Sequence, residues 1–355
     1  EVDAVVKCLQ ESTQMGNYSR KFESKIANLF DKKEGIYVNS GSSALYIGIE
    51  SLNLPEKTEV ITPALTFGTT VGCLVKNNLT PVFVDVMEDS LCIDPKKIEK
   101  AITNKTKAII AVHPYGNVAD MDAILEIGKK YKINVIEDAA ESVGSEYKNK
   151  KVGSIADFGI ISLHGTKMFT SGEGGAILCK RKDLVEKISL IESQGRKSSR
   201  RIDFWVDEIG LKYKMSNIQA ALALAQFERA DDIIKKKIEI FNWYKKQLSL
   251  INDITLNPKP EWVKNVYWLP TIIFGKSWAM DLEKRNRLLE NLNKKNIAAR
   301  PIFYPVSSFP MYEDCPENTI SQRVFVSGIN LPSYFEMSED DVIYVVDNIK
   351  KELNL

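Results

Sequence analysis

Short apolar runs alternate along the chain with amphipathic segments. Pro81–Val86 (PVFVDV), Lys107–Val112 (KAIIAV) and Asn134–Glu137 (NVIE) are rich in β-branched residues and apolar at consecutive positions, the pattern of strands covered on both faces. Between them, helical spacing of apolar residues marks Ser42–Leu52, Thr66–Lys76, Asp120–Lys130 and Lys182–Gln194. This order predicts an α/β fold with a mostly parallel sheet. One long helix is predicted from Ser216, which can cap its start, to about Leu248. The pattern then changes to an extended segment near Trp268–Phe274, a helix near Asp281–Lys295 and an irregular Pro-rich piece at Arg300–Pro310. A last helix follows that Ser338 can cap. The expected division is a large domain over residues 12–235 and a smaller α+β domain over 236–355, reached by the long helix.

Composition removes several classes of function. The 355 residues are 44% hydrophobic and 27% charged, which excludes a wholly disordered or collagen-like chain. With 48 basic and 47 acidic side chains there is no basic excess to collect the phosphates of nucleic acid, and Lys235–Lys237 reads as a solvated helix face. No apolar run approaches the length of a membrane span and no signal peptide opens the sequence. Five scattered cysteines, odd in number, read as reduced thiols and point to a cytoplasmic setting. Two histidines, His113 and His164, are too few for a histidine-rich metal centre, and no metal site is predicted. Glu1 opens inside a helix-like stretch, EVDAVVKCLQES, with no initiator methionine, so a natural start is expected upstream.

Four segments are candidates for chemistry, each with a plainer reading beside it. In ISLHGTKMFTSGEGGAI, Lys167 follows a core strand and precedes a Gly-rich turn, as a Schiff-base lysine would, although a solvated turn lysine looks the same. In VIEDAAESVG, Asp138 lies at the carboxyl edge of the expected sheet, where a carboxylate can hold a protonated ring nitrogen or simply cap a helix. Ser42 and Ser43 follow Gly41 at a helix start, which makes an anion site or an ordinary cap. Phe67, on a loop after a strand, can stack on a planar ring or fill the core. Neither a GxxxxGK[ST] loop nor a GxGxxG fingerprint is present.

The pieces NSGSSAL, TPALTF, PVFVDV, HPYGNVADMDAI, VIEDAAESVG, SLHGTKMFTSGEGGA and KMSNIQAALALAQ occur in one order. In that order the chain, from about Gly16 to the last helix, resembles the fold-type-I, pyridoxal-phosphate-dependent sugar aminotransferases of the DegT/DnrJ/EryC1/StrS family. Its HG-x-K-x-x-T-[ST]-GEGG form is most similar to the perosamine-synthase branch. The resemblance implies pyridoxal 5'-phosphate (PLP), cycling with pyridoxamine 5'-phosphate (PMP). It implies Lys167 as the cofactor-linked, proton-moving lysine and Asp138 as the acid at the pyridine nitrogen. Ser162, Ser42 and Ser43 become phosphate ligands, Phe67 the stacked aromatic and Glu141 the neighbour of the ring hydroxyl. The implied reaction moves an amino group from L-glutamate to C4 of a nucleotide-linked 4-keto-6-deoxy sugar, favoured as GDP-linked, in the setting of bacterial surface-glycan synthesis. A homodimer with shared active sites is implied as well, and residues 1–11 are expected to pack with the smaller domain.

The sequence departs from the family at three places. Gly210-Leu211-Lys212-Tyr213-Lys214-Met215 stands where relatives read G-x-N-x-R-M, so Lys212 becomes a candidate phosphate contact across the dimer. Lys214 becomes a candidate for the donor carboxylate that lacks arginine's two-pronged fork. Tyr304 and Ser307 lie in a segment that relatives read as FYPLH, and with His164 they are further substrate candidates. Trp205-Val206-Asp207-Glu208 lacks the histidine of W-H-P-E, and these changes point to an atypical sugar. Alternatives are a 3-keto sugar aminotransferase, for which relatives carry a GDGG-like loop, and a PLP- or PMP-dependent dehydratase, in which histidine replaces the lysine. A catalytically silent regulatory or scaffold homologue is the alternative of a different class.

Overall fold

The computed structural model describes residues 1–11, 16–30, 34–197, 204–313 and 315–355. Ser12, which closes the first helix-like stretch and at which the larger domain is expected to begin, lies outside them. The chain opens with α1 (Val2–Glu11) and α2 (Asn17–Leu29). It then alternates through β1 (Glu34–Val38), α3 (Gly41–Ser51), β2 (Glu59–Pro63), α4 (Gly68–Lys76), β3 (Thr80–Val84), α5 (Pro95–Ala101), β4 (Thr106–Val112), α6 (Met121–Tyr131) and β5 (Asn134–Asp138). A hairpin of β6 (Glu146–Tyr147) and β7 (Lys150–Lys151) precedes β8 (Phe158–Ser162), β9 (Gly175–Cys179), α7 (Lys182–Glu192), α8 (Asn217–Glu228) and α9 (Ala230–Leu248). The remainder adds β10 (Ile254–Leu256), β11 (Val263–Lys264), β12 (Thr271–Phe274), α10 (Leu282–Lys294), β13 (Arg300–Pro301), α11 (Thr319–Ser327), β14 (Gly328–Asn330) and α12 (Glu339–Glu352).

Seven strands form the main sheet in the order β1-β9-β8-β5-β4-β2-β3, with β9 running against its two neighbours and the rest parallel. Its central strands need apolar residues at successive positions because helices cover both faces. Ile109, Val135, Ile161 and Leu178 enter one core, while Ile110, Ile136, Ile160 and Ile177 enter the other. A second, antiparallel sheet, β10-β12-β14-β13, is packed by α9, α10 and α12 around Ile240, Tyr244, Ile272, Leu288, Ile329 and Val345. Ser338 caps α12 through a reciprocal box with Asp341.

Two expectations are corrected. The single helix over Ser216–Leu248 is two helices, broken at Arg229 (φ −111°, ψ 29°). Asp231 and Asp232 then occupy the first turn of α9, where carboxylates complement the helix dipole. Residues 1–11 lie on α8 rather than with the C-terminal sheet. Cys8 is buried in the core that holds Phe22 and Phe227, and the Glu1 carboxylate accepts from Gln226 Nε2 at 2.7 Å.

Several contacts fasten the C-terminal residues to the rest of the chain. β11 pairs with β6, and Leu65 bridges Pro305. Asp85 caps α11 from across the molecule, accepting from Ile320 N (3.0 Å), Ser321 N (2.9 Å) and Ser321 Oγ (2.6 Å), with Lys97 Nζ at 2.9 Å. Burial pushes the Asp85 carboxyl up, but these donors outweigh it and hold its pKa below the ordinary value. Among the described residues no helix is long and apolar enough to cross a membrane.

Candidate active site

A cavity of about 860 Å³ opens where β1, β2, β4, β5 and β8 end, the carboxyl edge at which α/β sheets bind ligands. It is also lined by Trp268, Arg300, Pro301, Phe303 and the 331–336 segment. Lys167, Asp138, Glu141, Ser42, Ser162, Phe67 and His164 all line it. The parallel strands bring together residues that lie more than a hundred positions apart.

Asp138 is the last residue of β5 and is buried. Its Oδ2 accepts from Thr70 Oγ1 at 2.8 Å and its Oδ1 from Ala140 N at 3.2 Å. Burial pushes its pKa up, and these donors together with the charges of Lys167 and His113 pull against that. A cation beside it would stabilise the carboxylate further.

Lys167 Nζ lies 3.1 Å from Glu141 Oε1 and 4.2 Å from the centroid of the Trp268 ring. Glu141 is buried, accepts from Tyr115 N at 3.3 Å, and has its carboxyl pushed up by burial against the pull of Lys167. Tyr115 stacks parallel to Trp268 (6.3 Å, 9°), and its hydroxyl accepts from Phe303 N at 3.0 Å. Its backbone is left-handed (φ 54°), a costly conformation for a bulky residue that clusters at functional sites. Trp268 Nε1 donates to Thr166 O at 2.9 Å, which fixes the turn that carries Lys167.

The start of α3 also lines the cavity. Ser40 is the cap, its Oγ accepting from Ser43 N at 3.0 Å, and Ser40, Gly41 and Ser42 face the cavity. A Cβ on Gly41 would come within 2.8 Å of Ser162 Cβ, and one on Gly175 within 2.8 Å of the Ser40 backbone. These two glycines press the helix start against β8 and β9, so the Ser162 hydroxyl sits beside the first turn.

Five sequence-predicted residues do not line this chain's cavity. Ser43 turns its hydroxyl to Asn39 Oδ1 (2.6 Å) and Ser40 Oγ (2.9 Å), completing the cap instead. Lys214 pairs with Glu192 at 3.3 Å, and Lys212 is held in a bridge to Ser193. Tyr304 is half exposed and packs on Phe325 at 4.1 Å, while Ser307 is fully buried. Phe67 is exposed at the cavity mouth, 5.8 Å from the Phe303 ring. Tyr115, Trp268 and Thr70 are not among the sequence candidates, and the reading of Lys235–Lys237 as a solvated face is corrected at Lys237, which is buried and lines the cavity. Tyr115 lies inside HPYGN, a recognisable motif, whereas Trp268 and Lys237 carry no local signal.

The residues fit a pyridoxal phosphate. A buried acid lacking a full set of donors suits a cationic ring nitrogen, a helix start with two hydroxyls suits a phosphate, and a lysine lining the same cavity suits an aldehyde. The profile of the DegT/DnrJ/EryC1/StrS aminotransferase family matches residues 1–350. The chain is 38% identical to a GDP-perosamine synthase of Escherichia coli O157:H7, over 99% of this chain and 95% of that one. It is 33% identical to a GDP-perosamine synthase of Caulobacter vibrioides, over 98% and 93%. Among solved structures, the PMP form of the putative sugar aminotransferase Spr1654 of Streptococcus pneumoniae matches with a TM-score of 0.93 at 25% identity, covering 99% of this chain and 96% of that one. The same protein is also known in its PLP form. This chain therefore belongs to the DegT/DnrJ/EryC1/StrS aminotransferase family and is a PLP-dependent aminotransferase of fold type I.

Proposed function

We propose that this chain transfers the amino group of L-glutamate to C4 of a nucleotide-linked 4-keto-6-deoxy sugar, with a GDP-linked sugar favoured. The observation that carries the reading is the cavity itself, which puts the Lys167 amine, the Asp138 carboxylate and the α3 start around one space. The likeness to GDP-perosamine synthases over nearly the whole chain supports the sugar.

Bound in this cavity, PLP supplies an electron sink for the carbon from which a proton is removed. Asp138 would hold the ring nitrogen, Ser42, Ser162 and the α3 start the phosphate, and Phe67 a ring face. Lys167 Nζ takes the proton from the donor's α-carbon and, in the second half-reaction, delivers one to the sugar carbon that receives nitrogen. Glu141, 3.1 Å away, is the group placed to share that proton with it. The reading includes a homodimer in which the Lys212 segment serves the partner's site, consistent with its lying outside this chain's own cavity. Lysine at 167, where resembling dehydratases carry histidine, weighs against dehydration.

The test is to incubate the PLP-loaded protein with L-glutamate and, separately, GDP-, dTDP- and UDP-linked 4-keto-6-deoxy sugars and a 3-keto isomer. Product mass and NMR should show an amine at C4 of the GDP-linked sugar. Amination at C3 of the 3-keto isomer alone, or loss of water without amine transfer, would refute the reading.

A further inference from the structure

Lys237, on α9, lines the same cavity and serves none of the roles above. It is 8% exposed, and its Nζ lies 2.5 Å from Ser333 O, 3.1 Å from Ser333 Oγ and 3.5 Å from Trp268 O. All three partners are neutral oxygens. The charged groups on the surrounding elements are engaged elsewhere: Lys236 with Glu239, Arg229 with Glu1, Lys246 with Glu339 and Lys167 with Glu141. Asp341 accepts from Ser338, and Glu336 is exposed. Burial accordingly pushes the Lys237 pKa down to about 8.

Ser333 is half-buried and lines the cavity too. The segment that carries it is tied at two successive carbonyls, Pro332 O by the Tyr244 hydroxyl (2.9 Å) and Ser333 O by Lys237. A charged Lys237 donates to Ser333 Oγ, which leaves the serine's own proton to be directed into the cavity. A neutral Lys237 has two N–H groups for the two carbonyls, and its lone pair can accept a hydrogen bond from the serine hydroxyl. The donor would then be withdrawn from the cavity.

We propose that Ser333 is a substrate-contacting hydroxyl and Lys237 its positioning residue, the pair presenting one hydrogen-bond donor to an oxygen of the bound substrate. The inference rests on the proposed reading of this cavity. An acceptor oxygen is offered both by the carboxylates of the amino donor and by the oxygens of the keto sugar, and the two half-reactions separate these sources.

The full chain, loaded with PLP, is assayed in single turnover with L-glutamate; its amino form is assayed with a GDP-linked 4-keto-6-deoxy sugar. Ser333→Ala is expected to raise the half-saturating concentration of one of the two substrates about 5- to 10-fold, with little change in limiting rate. Lys237→Met should weaken the same substrate, and Lys237→Arg should largely preserve it. In the wild type that half-saturation should rise above pH about 8, and the rise should flatten in Ser333→Ala and Lys237→Met. Conversion by L-glutamate with both half-saturations unchanged in Ser333→Ala overturns the inference alone. So does a Lys237→Met protein that melts earlier and weakens both substrates while Ser333→Ala weakens neither. A wild type that L-glutamate does not convert overturns the proposed function, and this inference with it.

Discussion

Glu137 and Asp138 are consecutive on β5 and point to opposite faces of the sheet, and their surroundings give two acids two different tasks. Glu137 is fully buried and accepts from Gly153 N (2.7 Å), Ile155 N (2.6 Å) and Ala156 N (2.8 Å). His113 is its fourth partner. The Nδ1 of His113 accepts from Ala119 N at 3.2 Å, so Nε2 carries a proton toward Glu137 Oε2, also 3.2 Å away. Burial pushes the Glu137 carboxyl up, but His113 and the backbone donors outweigh it and leave its pKa below the ordinary value. Asp138 has two donors and an open cavity, and its pKa is raised. A carboxylate with a full set of donors pins loops; one with a partial set is ready for a cation that arrives with the cofactor.

The comparison can be broken at several points. Lys167→Ala removes the one amine held between Glu141 and Trp268, and should lower kcat by about 10³-fold or more while the melting temperature barely changes. Asp138→Asn should cost about 10²- to 10³-fold in activity, read as kcat/KM with PLP in excess. Its effect on stability should have the opposite sign. A carboxyl whose folded pKa is raised loses its contribution as pH climbs above the unfolded value, so the cofactor-free Asn variant should match or exceed the wild type in urea at pH 7.

Glu137→Gln should do the reverse. It leaves backbone donors facing an amide that can satisfy only some of them, and unfolding in urea should show a loss of about 2–4 kcal/mol. Activity per folded molecule should hold. Equal effects of the Glu137 and Asp138 variants on stability would erase the distinction.

The smallest effect belongs to Asp85. Its folded pKa is depressed, so its contribution is present above the unfolded value near 3.9 and is lost as pH falls through the folded one. Asp85→Asn should destabilise by about 1–2 kcal/mol at pH 7, and its difference from the wild type should shrink steadily below pH about 4. A difference independent of pH would mean that the carboxylate charge does not hold α11.

Elements with a local signature were legible before the structure. The runs that became β4 and β5 are apolar at successive positions because both faces are covered, whereas β3 lies at the sheet edge and is only partly buried, against the expectation of cover on both faces. The ends of all three and of α3, α4, α6 and α7 fall within two residues of expectation. The places of Lys167 and Asp138 in the cavity were legible as well, because Asp138 ends a core strand and Lys167 lies on the turn that follows one, each inside a recognisable motif. The break at Arg229 was not, since apolar spacing continues through it and only the cap geometry reveals it. Trp268 and Lys237 were invisible for another reason. Their roles depend on the C-terminal part folding back over the sheet, which no short window of sequence contains. Ser43 and Lys214 show the converse, since each matches a motif position while its side chain is bound to Asn39 and Ser40 or to Glu192.

The claim on which the account depends is that Lys167 is the cofactor-linked lysine of a working aminotransferase. The visible absorption spectrum of the purified protein with added PLP, before and after L-glutamate, tests it most directly. The account predicts a band near roughly 410–430 nm that moves toward about 330 nm with glutamate and is absent in Lys167→Ala. A band that survives the Lys167→Ala substitution, or one in the wild type that glutamate leaves unmoved, would contradict it.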